Sequence, residues 1–153
     1  MIELVFVIVV LGILASVAIP RLAATRDDAV LVKGKSQVSA VRSGIAMQKA
    51  KALLQGDNTG IYNSNFRLTR LDNITSGFGA ANSRLFNFND GNTSNVLENP
   101  IFSKLTSTGG WVKDSNNTYT FKMNNSTSVQ FTYNPTTGIF GCGTSADCLL
   151  LTQ

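Results

Sequence analysis

Residues 4 to 15, Leu-Val-Phe-Val-Ile-Val-Val-Leu-Gly-Ile-Leu-Ala, contain no charged and no strongly polar side chain. As a helix at 1.5 Å per residue, residues 1 to 19 extend about 28 Å, close to the thickness of a bilayer's hydrocarbon core. The pattern then changes. Leu31, Gly34, Val38, Val41, Ile45 and Ala52 recur at steps that suit one helical face, with Lys33, Lys35, Arg42, Lys49 and Lys51 mostly between them. The sequence therefore predicts one long helix over residues 2 to 55. It is expected to kink near Pro20, whose ring removes a backbone hydrogen bond, and to end at Gly56, which suits a left-handed cap.

Residues 56 to 110 show no sustained periodicity. Turn-forming Asn, Ser and Gly clusters separate Phe66, Leu68, Leu71, Ile74, Leu85 and Phe86, which read as packing residues, and a short helix is expected over 64–74. From Trp111 the period becomes two. Residues 118 to 123 and 127 to 133 alternate between turn signals, with further strands expected at 111–113 and 138–142. The predicted class is α+β: a long kinked N-terminal helix packed against a small C-terminal antiparallel meander. Four regions follow: a transmembrane segment 1–20, an amphipathic continuation 21–55, an αβ-loop region 56–110 and a sheet region 111–153.

Composition narrows the chemistry. The chain has 153 residues, no His, two Cys and a formal net charge of +4. Lacking His removes the most common general base and metal ligand. Beyond Asp57, only Asp72, Asp90, Glu98, Asp114 and Asp147 carry acid groups, a poor stock for an active site. Lys and Arg are spread from Arg21 to Lys122 rather than massed, so nucleic-acid binding is permitted but not indicated. Cys142 and Cys148 enclose a five-residue loop that suits a disulfide in an exported domain.

One residue conflicts with the lipid reading. Glu3 stands at the head of the apolar run, and a carboxylate in hydrocarbon costs several kcal/mol unless it is paired or reaches water. The first basic side chain, Arg21, lies eighteen positions later. Glu3 either snorkels to the headgroup boundary or finds a partner on another molecule.

Ile2-Glu3-Leu4, Gly12-Ile13-Leu14-Ala15, Ala18-Ile19-Pro20 and Leu22 together resemble the N-terminal helix of type IV pilins and type II secretion pseudopilins. The close resemblance covers about thirty residues. It implies a structural subunit rather than an enzyme, polymerising through this helix into a pilus or pseudopilus for type II secretion or DNA uptake. Surface pili for adhesion or twitching are the alternative use. Glu3, Gly12 and Pro20 are the implied assembly residues, with Glu3 facing the N-terminal amine of a neighbouring subunit. Implied partners are other copies, minor pilins or pseudopilins, the inner membrane, a prepilin peptidase, an assembly platform and its ATPase.

The resemblance also implies a basic leader ending in Gly, and a mature first residue, ahead of Met1. It places the C-terminal domain in the periplasm, whereas Arg21 and Arg26 by the positive-inside rule favour a cytoplasmic C-terminus. Family major pseudopilins hold calcium in a C-terminal loop. Here the last forty residues offer only Asp114 and Asp147, so neither metal nor cofactor is expected. Asp90 to Ser94 and Asp114 to Thr118 match an acidic-x-Asn-x-Ser/Thr pattern, which makes Asn92 and Asn116 candidate glycosylation sites.

Overall fold

The computed structural model describes residues 2–54, 68–88 and 95–153. Helix α1 runs from Ile2 to Leu54, continuing through Pro20. Proline has no N–H, so the Ser16 carbonyl lacks its usual donor one turn below. In the same turns, Ser16 Oγ donates to Ile13 O at 2.7 Å and Thr25 Oγ1 to Leu22 O at 3.0 Å. Of the predicted apolar stripe, Gly34, Val38, Val41, Ile45 and Ala52 are buried and Leu31 is half-buried. Gly44 and Gln48 also lie on this face, at the same helical spacing.

Four strands form the main sheet: β3 (Gly110–Ser115), β4 (Thr118–Lys122), β5 (Ser128–Asn134) and β6 (Ile139–Cys142). They pair antiparallel in sequence order, which is the meander expected from their alternation. Along β5 burial alternates residue by residue, with Val129, Phe131 and Tyr133 turned inward. An irregularity between Lys113 and Ser115 lets Asp114 fall out of register, and the β3–β4 hairpin closes immediately beyond it. Gly138, at φ +72°, ends the turn between β5 and β6 with its N–H on Asn134 O at 2.8 Å.

Two short strands, β1 (Arg84–Leu85) and β2 (Ile101–Phe102), make a separate antiparallel pair. A single parallel bridge from Ser103 to Trp111 ties this pair to the main sheet. The short helix expected over 64–74 is corrected: residues 68–74 are irregular, and 64–67 fall outside the described residues. Asp72 accounts for the difference, because its carboxylate takes the Ile74 N–H at 3.0 Å in a local turn that competes with helix. Leu68, Leu71, Leu85 and Phe86 pack as expected, while Phe66 is outside the described residues.

A second helix, α2 (Ala146–Thr152), was not foreseen from the pattern. Ser145 caps it by accepting the Cys148 N–H at 3.2 Å, and Cys148 and Leu151 are its buried residues. The core lies between the stripe of α1 and the inner sheet face, where Trp111, Tyr119, Phe121, Phe131 and Phe140 meet Val38, Val41 and Ile45. Polar contacts cross the same seam. Trp111 Nε1 donates to Gln37 Oε1 at 3.0 Å, Arg42 Nε to Phe140 O at 3.0 Å and Lys33 Nζ to Gly109 O at 2.6 Å. Burial and the nearby Lys104 charge hold the Lys33 ammonium below its ordinary pKa.

Candidate assembly surface

The two halves of α1 meet different surroundings. From Ile2 to Leu22, fourteen large apolar side chains are exposed; the most covered of them, Val10, is still 38% accessible. Each one left in water forgoes about 1.5–3 kcal/mol of burial, so no isolated aqueous chain accounts for this segment. α1 is long and apolar enough to cross a membrane, and none of the residues in its most apolar window is covered by the rest of the chain. The domain grips α1 only from about Val30 onward, where the buried positions begin.

Glu3 occupies the first turn of α1. Gly12 is exposed, and a Cβ at that position would meet nothing within 4 Å. Glycine inside a helix costs about 1 kcal/mol relative to alanine. None of the described residues packs against Gly12 to offset that cost. Pro20 lies in the same exposed stretch, near a shallow groove lined by Leu14, Val17, Ala18, Arg21, Leu22 and Thr25.

Cys142 and Cys148 form a disulfide with Cα atoms 5.8 Å apart, joining β6 to α2. Leu151 of α2 then reaches the helix seam, since a Cβ placed on Gly34 would lie 2.7 Å from its side chain. Closing a loop of this size constrains the unfolded chain by about 2 kcal/mol. A Cys142→Ser/Cys148→Ser protein is therefore expected to lose about 2 kcal/mol of unfolding free energy. Denaturant titration against the oxidised parent checks it; equal midpoints would remove the disulfide from the stability account.

Of the candidate glycosylation residues, Asn116 sits exposed at the tip of the β3–β4 hairpin, while Asn92 lies outside the described residues. The structure does not bring Glu3, Gly12 and Pro20 together with the disulfide or Asn116. They are distributed along the molecule.

A group that sequence reading passed over lies at the other side of the core. Lys113 and Asp72 are both buried and form a direct ion pair. Tyr119 Oη donates to Asp72 Oδ2 at 2.8 Å, and Lys113 Nζ donates also to Ile74 O at 2.8 Å. Burial lowers the Lys113 pKa, opposed in part by the hydrogen bond and charge of Asp72. Burial and the Asp72 charge push the Tyr119 phenol far above its ordinary value. The usable signal was weak: Lys113 follows Trp111 and Val112 in β3, which is buried at its first four positions, and pairs across to Tyr119 of β4. Comparison with protein-family descriptions, curated proteins and solved structures finds no match to this chain.

Proposed function

We propose that this chain is a structural subunit of the pilin and pseudopilin kind, held in the inner membrane by Ile2–Leu22 until it polymerises through that helix. The observation that carries the reading is the uncovered apolar half of α1, with its lone carboxylate and its unoccupied Gly12 surface. In lipid, hydrocarbon covers the segment. In a filament, the same side chains of neighbouring copies cover one another, and dispersion contacts replace lipid contacts at little cost. The Glu3 charge then decides direction, because a neighbour's amine neutralises it in the filament and nothing does in the bilayer core.

Type II secretion or DNA uptake is the favoured setting, with the sheet domain in the periplasm. The Cys142–Cys148 disulfide supports an oxidising compartment. Glu3→Ala is expected to leave the subunit membrane-inserted while its incorporation into filaments falls about tenfold or more, the scale of losing a partly buried charge pair. Sheared or extracted filaments quantified against membrane-bound subunit measure this. Normal incorporation would end the pairing role of Glu3. Surface fibres composed mainly of this subunit would move the reading to an adhesive or twitching pilus.

A further inference from the structure

Lys113 and Asp72 share an environment that ordinary ion pairs seldom have. Their side chains are 2% and 0% exposed, in a chain whose other cationic side chains mostly reach solvent. The Lys113 Nζ lies 5.6 Å from the centre of the Phe78 ring and 5.5 Å from that of Tyr119. Both carboxylate oxygens are engaged: Oδ1 by Lys113 and the Ile74 N–H, Oδ2 by the Tyr119 hydroxyl. An amine and a carboxyl group are thus held in contact, desolvated, with a hydrogen-bond donor fixed on the carboxyl oxygen away from the amine. Proximity and a donor placed at the oxygen where negative charge develops both lower the barrier to amide formation.

We propose that Lys113 Nζ and Asp72 Cγ join in an intramolecular isopeptide bond. Within the pair, the ammonium passes one proton to Oδ1, converting two buried charges into a neutral amine and a carboxylic acid. Burial depresses the basicity of Lys113, which works in the direction of that transfer. The Nζ lone pair then attacks Cγ, forming the C–N bond, while the C–Oδ2 π electrons move onto Oδ2. The Tyr119 hydroxyl donates to that oxyanion, and its raised pKa keeps it protonated as a donor. A second proton passes from Nζ to Oδ1, the Cγ–Oδ1 bond breaks, and Oδ1 departs as water. The Oδ2 electrons restore the carbonyl. Amine and acid become amide and water, with no oxidant, nucleotide or metal required.

The bond links residues 41 positions apart. It bridges β3 to the irregular segment at 68–74, enclosing β1 and β2, and is separate from the disulfide between β6 and α2. An exported structural subunit has a use for such a tie, because reducing conditions do not open it.

Intact mass of the full-length, detergent-solubilised protein after disulfide reduction tests the bond directly. The expected mass is one water below that of the sequence, and digestion should release a Lys113-containing peptide joined to an Asp72-containing one. The full sequence mass would overturn the proposal. So would loss of one water with the two peptides unjoined, since a succinimide at Asp72-Asn73 has the same mass. Neither measurement depends on a variant folding. Lys113→Arg should restore the full sequence mass, and a persisting loss of water there would also overturn the bond. Tyr119→Phe should lower the joined fraction at a fixed time after synthesis at least fivefold; an unchanged fraction would remove the phenol from the chemistry.

Discussion

Trp111→Ala is expected to cost about 3–5 kcal/mol of unfolding free energy, the range for deleting a large buried aromatic. Typical domains hold only about 5–15 kcal/mol in total, so the variant should sit at the edge of folding. Trp111 is fully buried, and its ring centre lies 5.4 Å from that of Phe86, 5.1 Å from Phe121 and 5.3 Å from Phe131. These neighbours belong to different elements and cannot all close on the space the indole leaves. Part of the loss is therefore a retained cavity. The Nε1 bond to Gln37 is lost as well, which loosens the sheet from α1. Trp111 is the only tryptophan, so denaturant unfolding has to be followed by circular dichroism of the sheet. A loss below about 1 kcal/mol would contradict the central place given to this ring.

The second large effect is expected from Gly44→Ala, at about 3 kcal/mol, the upper part of the overpacking range. On an exposed helix face the same change would gain about 1 kcal/mol, because alanine is the better helix former. Here a Cβ would lie 2.1 Å from Val96 O and 3.0 Å from Val96 C. Both are backbone atoms, so no rotamer change relieves the clash and the segment around Val96 has to move. Gly34→Ala is milder, since its Cβ would meet ring atoms of Phe121 at 2.6 Å and the Leu151 side chain at 2.7 Å, which can shift. Gly12→Ala supplies the contrast: with open space around it, it should not destabilise the domain at all. Thermal or denaturant midpoints of the three proteins should rank Gly44→Ala lowest. A Gly44→Ala midpoint at or above the parent's would mean that α1 and Val96 are not packed as described.

Those three glycines also show how far the sequence could be read. The stripe through Val38, Val41 and Ile45 was legible because apolar side chains at helical spacing carry their own signal. Gly44 and Gln48 lie on the same stripe but are silent, since neither residue type announces burial. The strands were legible for a similar reason: Tyr119 with Phe121, and Val129 with Phe131 and Tyr133, alternate cleanly with polar residues. Strands β1 and β2 have two residues each, too few for any period to appear. Helix α2 was hidden by its brevity and by the disulfide reading of Cys142 and Cys148, although Ser145 before Asp147 and the Leu149-Leu150-Leu151 run was a usable cap signal.

For the candidate site, Glu3 was conspicuous because a charge at the edge of an apolar run breaks a pattern. Lys113 and Asp72 broke none. A lysine in a strand and an aspartate in a turn are ordinary alone, and only tertiary contact between residues far apart in sequence makes them unusual.

The continuity of α1 has a mechanical meaning. A pull on the apolar end of α1 is carried along about 32 helical residues, about 48 Å, before it reaches the buried stripe at Gly34. The strand ladders stand aside from that line of tension, and load enters the domain by shear along the helix face. The compliant point comes earlier, at the turn from Ser16 to Pro20, where one rung of the helix is missing. Under such a pull the chain stretches first along the exposed part of α1 and last in the sheet domain.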